Sequence, residues 1–138
     1  MNVIIVGCGR MGASLAGSLS DAGHIVTVVE VRRRNIANLP RNRVDSASVN
    51  IVEGDGAAAD VLETAGIDSA DLLIAVTGRD TLNGLIAQKA RTMYRVKTVM
   101  VRVKDEDLRR LYETFGVVTV NSTHIVAERM LAGIMEIQ

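Results

Sequence analysis

The chain has 138 residues and a mass of 14.8 kDa, the size of one domain and too little for separate cofactor and substrate domains. Sixteen Lys and Arg balance sixteen Asp and Glu, so no net field draws the molecule to nucleic acid or an anionic membrane, and any anion site must be local. A lone cysteine, Cys8, excludes an intrachain disulfide and a cysteine-built zinc site. The three aromatic residues Tyr94, Tyr112 and Phe115 leave little for base stacking.

Short β-branched runs alternate with segments of helical period, the pattern of βαβ units on a parallel sheet. Six strands are predicted: Asn2–Val6, Ile25–Glu30, Ser48–Val52, Leu72–Val76, Thr98–Val103 and Val117–Val120. Runs such as VIIV and IVTVV are continuous rather than alternating, as expected where helices cover both faces of a sheet. The spacing predicts a first helix over Arg10–Ala22, with Met11, Leu15, Ala16 and Leu19 on its apolar face and Gly23 closing it. Arg32–Leu39 reads as a short helix closed by Pro40 and followed by a polar surface loop through Ser46. Helices are also expected around Ala57–Ala65 and Thr81–Tyr94, and over Asp105–Phe115, where Leu108, Leu111, Tyr112 and Phe115 share a face. The last segment, Ser122–Gln138, carries Ile125, Val126, Met130, Leu131, Ile134, Met135 and Ile137 on more than one stripe. Such a helix needs two surfaces, and the reading assigns one to its own sheet and one to a partner. The fold class is therefore α/β: a Rossmann-like, doubly wound, six-stranded parallel sheet in a single domain, with a core over 1–121 and a C-terminal dimerisation helix over 122–138. No run of apolar residues approaches the roughly 18 that span a membrane, and the N-terminus lacks a secretory pattern, so a cytoplasmic setting is expected.

Directly after the first strand stands Gly7-Cys8-Gly9-Arg10-Met11-Gly12, a G-x-G-x-x-G that opens a helix. Gly7 permits the turn, Gly9 lets a pyrophosphate approach the backbone, and Gly12 lets helix and strand pack closely. The first-turn amides, Met11 among them, and the positive end of the helix dipole then face phosphates. Arg10 works against that dipole unless an anion compensates it, which points to a phosphate or a carboxylate. Glu30, 18 residues after Gly12 and at the end of the second strand, can accept ribose hydroxyls and would repel a 2′-phosphate. Arg32, two positions on, could instead hold that phosphate, leaving the nucleotide open. Further strand ends point to the same crevice: Asp55 and Gly56 after strand three, Thr77 and Gly78 after strand four, and Arg102 late in strand five. Cys8 reads as a small residue of the turn, and His24 and His124 as surface or packing groups. No catalytic or metal-ligating constellation is present, so binding without turnover fits better than catalysis.

These residues resemble the nucleotide-binding KTN/RCK (TrkA N-terminal) domains that regulate potassium channels and transporters. The likeness runs over nearly the whole chain: VIIVGCGRMGASLA, DAGHIVTVVE, VEGDGAAADVLETAGIDSADLLIAVTGRDTLN with its Asp80 and Asn83, VMVRVKDED and FGVVTVNSTHIVAERM. The resemblance implies a domain that binds NAD(H), or ATP, ADP or AMP, without chemistry. Arg10 and the turn amides would hold phosphates, Glu30 the adenosine ribose, and Asp55 with Gly56 would lie beside the adenine. Thr77 and Gly78 would line the cleft, with Asn83 and Arg102 supporting its far side. It further implies a homodimer, extensible to a ring, at the inner face of a membrane through a cation channel or transporter, with no membrane insertion of its own and no nucleic-acid partner. This chain departs from many such domains in carrying Arg32 where a second acidic residue is common, and the additional C-terminal ligand-binding domain common in the family does not fall within the 138 residues, as expected either of a single-domain regulator or of a piece cut before that domain. An alternative is the nucleotide-binding part of an NAD-dependent oxidoreductase without its catalytic portion; a third is a dimerisation module with an empty cleft.

Overall fold

The computed structural model describes residues 1–45 and 48–137. Six strands, β1 (Asn2–Val6), β2 (Ile25–Glu30), β3 (Val49–Glu53), β4 (Leu72–Ala75), β5 (Thr98–Arg102) and β6 (Val118–Val120), form one sheet in the order β3-β2-β1-β4-β5-β6. Every pairing is parallel; Ile5 of β1, for example, lies between Val28 of β2 and Ile74 of β4. The chain winds outward through β1, β2 and β3, then returns to place β4 on the other side of β1. That reversal opens a crevice at the carboxyl ends of β1 and β4.

The continuous apolar strands follow from covering both faces. Val3 and Ile5 pack with Val26, Val28, Ala13 and Ala16 on one side of the sheet, whereas Ile4 and Val6 pack with Val29, Leu62, Ile86 and Val101 on the other. The first layer is covered by α1 (Arg10–Asp21), α2 (Arg33–Ile36) and α3 (Arg41–Asp45), and the second by α4 (Ala59–Thr64), a 3₁₀ turn at Ile67–Ser69, α5 (Asp80–Thr92) and α6 (Glu106–Glu113). Gly23 and Gly116 end α1 and α6 in the left-handed region (φ +89° and +77°).

Several expectations need correction. Of the face expected for α1, Ala16 is buried and Leu15 and Leu19 pack partly buried against the core, while Met11 is exposed; the fully buried positions are the small residues Gly12, Ala13, Ala16 and Gly17. Pro40 does not close a helix but starts one: its carbonyl accepts from the N–H groups of Arg43 and Val44, so residues 41–45 form α3 rather than a polar loop. Ser46 lies outside the described residues. Leu111 is half exposed, so the buried face of α6 centres on Tyr112, which stacks with Phe115.

The last helix, α7 (Ser122–Ile137), buries none of its residues, so it gains no sheet surface of its own, contrary to the two-surface expectation. Its apolar exposure runs from 48% at Ile125 to 86% at Ile137. Gln138, included in the expected segment, lies outside the described residues. Among the described residues, no helix is long and apolar enough to cross a membrane.

Candidate functional site

The turn from β1 into α1 uses its three glycines in different ways. Gly7 has φ +109°, donates its N–H to the Val29 carbonyl at 2.9 Å, and lies so close to β4 that a Cβ would sit 2.9 Å from the backbone of Val76 and Thr77. A Cβ on Gly12 would come within 1.9 Å of the Gly7 carbonyl oxygen. A Cβ on Gly9, by contrast, would meet nothing within 4 Å, and Gly9 has an ordinary extended backbone (φ −72°). The fold therefore needs Gly7 and Gly12, whereas the space beside Gly9 opens outward.

Gly9 is also the N-cap of α1, with no side chain capping the helix and no acidic residue in its first turn. The amides of Arg10, Met11 and Gly12 therefore keep the unpaired donors of a helix start. In α6, of comparable build, the Asp105 carboxylate accepts from the Leu108 N–H. Arg10 adds a guanidinium with no partner among the described residues. The result is a positive, donor-rich edge suited to an anion.

Glu30 lies across from it, 7% exposed at the end of β2. Its Oε1 accepts from the Cys8 N–H at 2.7 Å and the Asn35 amide at 3.2 Å, and its Oε2 from the Arg32 N–H at 3.0 Å. Burial pushes this carboxyl up, but the N–H groups of Arg32 and Cys8, the Asn35 amide and the Val31 N–H outweigh it and hold it below the usual carboxylate range. Glu30 is therefore ionised at neutral pH. Asn38 donates to the Cys8 carbonyl at 2.9 Å, so α2 and its C-terminal extension grip the glycine turn from outside. Cys8 itself is buried, and burial with the nearby Glu30 charge pushes its thiol up to about 11. A thiol so protonated is a packing group.

On the other side of the crevice, Asn83 is fully buried near the start of α5. Its Oδ1 accepts from the Thr77 N–H at 2.9 Å and the Thr77 hydroxyl at 2.5 Å, and its amide donates to the carbonyls of Thr77 (3.1 Å) and Arg102 (3.0 Å). It ties the carboxyl end of β4 to that of β5. The Arg102 side chain bonds the Ser122 hydroxyl at 3.3 Å, reaching the first residue of α7.

These elements enclose a cavity of about 450 Å³, into which Gly7, Gly9, Glu30, Arg32, Thr77, Gly78 and Arg102 converge. Asp55 and Gly56 line a smaller adjoining hollow that shares Gly7, Glu30 and Thr77; Asp55 is held in a tight turn by the Ala57 N–H at 2.9 Å. Arg10 and Met11 stand exposed outside the cavity wall, Gly12 is buried behind it and Asn83 beneath it. Two hollows elsewhere have similar volume, about 540 and 510 Å³, but neither is lined by the glycine turn, Glu30 or Thr77. Sequence reasoning missed Asn35, Asn38 and Arg79. Asn35 and Asn38 follow no motif spacing; Arg79, directly after Thr77-Gly78 and lining the cavity, could have been found from its position at a strand end.

The model of the TrkA-N domain matches residues 3–123, most of the chain. The chain belongs to the TrkA-N domain family. A Trk system potassium uptake protein, TrkA, of Streptomyces coelicolor is 34% identical over 131 residues, covering 95% of this chain and 57% of that protein. This TrkA-N chain thus spans little more than half of that relative, and it spans 22% of the longer TrkA of Halomonas elongata. Among solved structures, the TrkA-N domain of the Escherichia coli inner membrane protein ybaL superposes with a TM-score of 0.83 at 22% identity, over 95% of this chain and 94% of that one. The GsuK channel bound to NAD gives a TM-score of 0.74 at 20% identity, over 90% and 22%; GsuK bound to ADP gives 0.76 at 23%, over 97% and 33%. These likenesses share the six-stranded fold derived above.

Proposed function

We propose that this TrkA-N domain binds NAD(H) or an adenine nucleotide in the crevice between β1 and β4 and regulates a potassium channel or transporter without catalysing a reaction. The observation that carries the reading is the empty space beside Gly9, next to an uncapped helix start and opposite an ionised carboxylate. The fold does not require that glycine, but a pyrophosphate lying on the backbone does. Phosphates lie along the amides of Arg10, Met11 and Gly12 with the Arg10 guanidinium closing over them. The adenosine ribose meets Glu30 beside Arg32, the adenine lies towards Asp55 and Gly56, and the remainder of the ligand runs past Thr77 and Gly78 to Arg102. Asn83 acts through Thr77 and Arg102 rather than by touch.

The NAD- and ADP-bound neighbours, and relatives named for potassium uptake, support this reading. Regulation operates by differential binding: a nucleotide biases the partner only as far as its affinities for two states differ. Shifting a gate from 1:99 to 99:1 takes about 5.5 kcal/mol, which several subunits share. The exposed apolar residues of α7 pair this chain with a second copy, and the pair associates at the cytoplasmic face of the membrane through the transport protein.

The test is calorimetry and thermal melting of the purified chain with NAD, NADH, NADPH, ATP, ADP and AMP. A ligand at 100 times its Kd adds about 2.7 kcal/mol of stability. Selective binding that is lost in Glu30→Ala is the expected result. Absence of binding by all six would overturn the reading.

A further inference from the structure

The number of hydrogen bonds Glu30 can still accept is set by the protein. An ionised carboxylate offers about four acceptor positions, two on each oxygen. Both positions on Oε1 are taken, by the Cys8 N–H and the Asn35 amide, and Oε2 already receives the Arg32 N–H, while the nearby Val31 N–H adds electrostatic support without hydrogen-bond geometry. At most one position remains, whereas an adenosine ribose brings two adjacent hydroxyls.

Asn35 supplies what Glu30 lacks. A carboxylate only accepts, so the side-chain amide of Asn35 must turn its NH₂ towards Glu30, which fixes Oδ1 as the other end of the group. Oδ1 receives no donor from the described residues, and Asn35 lines the cavity beside Glu30. The residue is held in place: its N–H donates to the Arg32 carbonyl at 3.0 Å in the first turn of α2. An acceptor fixed beside a nearly saturated carboxylate, on a residue that lines the same cavity, is suited to a hydroxyl donor.

We propose that Asn35 is a second ribose-recognition residue: one hydroxyl of the adenosine ribose donates to Glu30 Oε2, and the other to Asn35 Oδ1. This rests on the nucleotide reading above and adds to it which residue reads the second hydroxyl. The two hydroxyls are then unequal, because a bond to an ionised group is worth more than one to a neutral amide.

The experiment measures dissociation constants of ADP, 2′-deoxy-ADP and 3′-deoxy-ADP for the wild-type chain and for Asn35→Ala. In the wild type, loss of the hydroxyl on Glu30 weakens binding roughly 10- to 100-fold and loss of the other roughly 2- to 10-fold. In Asn35→Ala, ADP itself binds roughly 2- to 10-fold more weakly, the smaller deoxy penalty disappears and the larger one stays. Equal, large penalties for both deoxy nucleotides in the wild type, or Asn35→Ala binding ADP as tightly as the wild type, overturns the assignment. The wild-type inequality is read without the variant, so the test does not depend on how well the variant folds. A wild type that binds none of the three, with NAD, NADH, NADPH, ATP and AMP equally without effect, overturns the nucleotide reading itself, a result distinct from either of these.

Discussion

Asn83 gives the most demanding test of how the crevice is built. Replacing it with Ala removes four hydrogen bonds at once and leaves the Thr77 N–H and the carbonyls of Thr77 and Arg102 without their partner. At a net of about 1 kcal/mol each, the loss is about 4 kcal/mol, reduced where cleft water reaches half-buried Thr77 and increased by the void left by a fully buried side chain. The expected cost is about 2–4 kcal/mol, a fall in Tm on the order of 10 °C for a domain of this size. Urea unfolding and calorimetric melting of Asn83→Ala measure it, and a change below about 0.5 kcal/mol would refute the reasoning. Asn83→Asp sharpens the test. It keeps the acceptor for Thr77 but turns a charged oxygen against the Thr77 and Arg102 carbonyls, so it destabilises at least as much at neutral pH. Burial raises its pKa, and stability returns as acid supplies the proton that lets it donate.

Gly9→Asp and Gly12→Ala separate ligand from fold. Gly9→Asp does not lower Tm, since its Cβ meets nothing and its carboxylate can cap the uncapped start of α1, and it reduces nucleotide affinity by at least about 100-fold in calorimetry through charge repulsion at the phosphates; retained affinity contradicts the proposed phosphate position. Gly12→Ala drives a methyl into the Gly7 carbonyl and costs at least about 3 kcal/mol in urea unfolding. For Glu30, whose folded pKa is depressed, the stability difference between wild type and Glu30→Gln is fully present above the unfolded value of about 4.3 and declines only as pH falls through the folded value; a difference that changes between pH 6 and 8 contradicts this. On the proposed pairing through α7, the wild type sediments as a dimer in analytical ultracentrifugation and Met130→Glu with Leu131→Glu as a monomer, with the Tm of the core unchanged because neither side chain packs against it.

The strands and the sheet were legible in the sequence because burial on both faces writes itself as unbroken β-branched runs, and the crossovers as glycine-bounded helical periods. The three residues of β6 were recognisable for the same reason, although Val118 is about half exposed. What sequence could not give was geometry that depends on distance in space. Of the large residues of α1, Leu15 and Leu19 reach the core as read but Met11 does not, and the close approach at Gly12 puts the small residues innermost. Pro40 reads equally as a stop or a start, and only the bonds to Arg43 and Val44 distinguish them. In the candidate site, the glycine turn, Glu30 and the strand-end residues were readable from spacing, because a strand end fixes its own position in a parallel sheet. Asn38 was not, since its role comes from the chain after α2 folding back over Cys8, 30 residues away in sequence, nor was Asn35, whose bond to Glu30, five residues before it, follows no motif spacing. Asn83 was found by motif, yet its place beneath the floor follows only from the packing of α5 against β4 and β5.

On the proposed pairing with a second copy, the exposed flank of α7 ties the melting behaviour of this chain to its concentration. A 16-residue helix with no buried residue draws little from its own domain, and isolated helices of such length are marginal in water. Its helical order is therefore a property of whatever covers it. Where that cover is a second copy, as proposed, the far-UV signal of residues 122–137 rises with protein concentration by mass action while the sheet signal does not, and dilution frays this segment first.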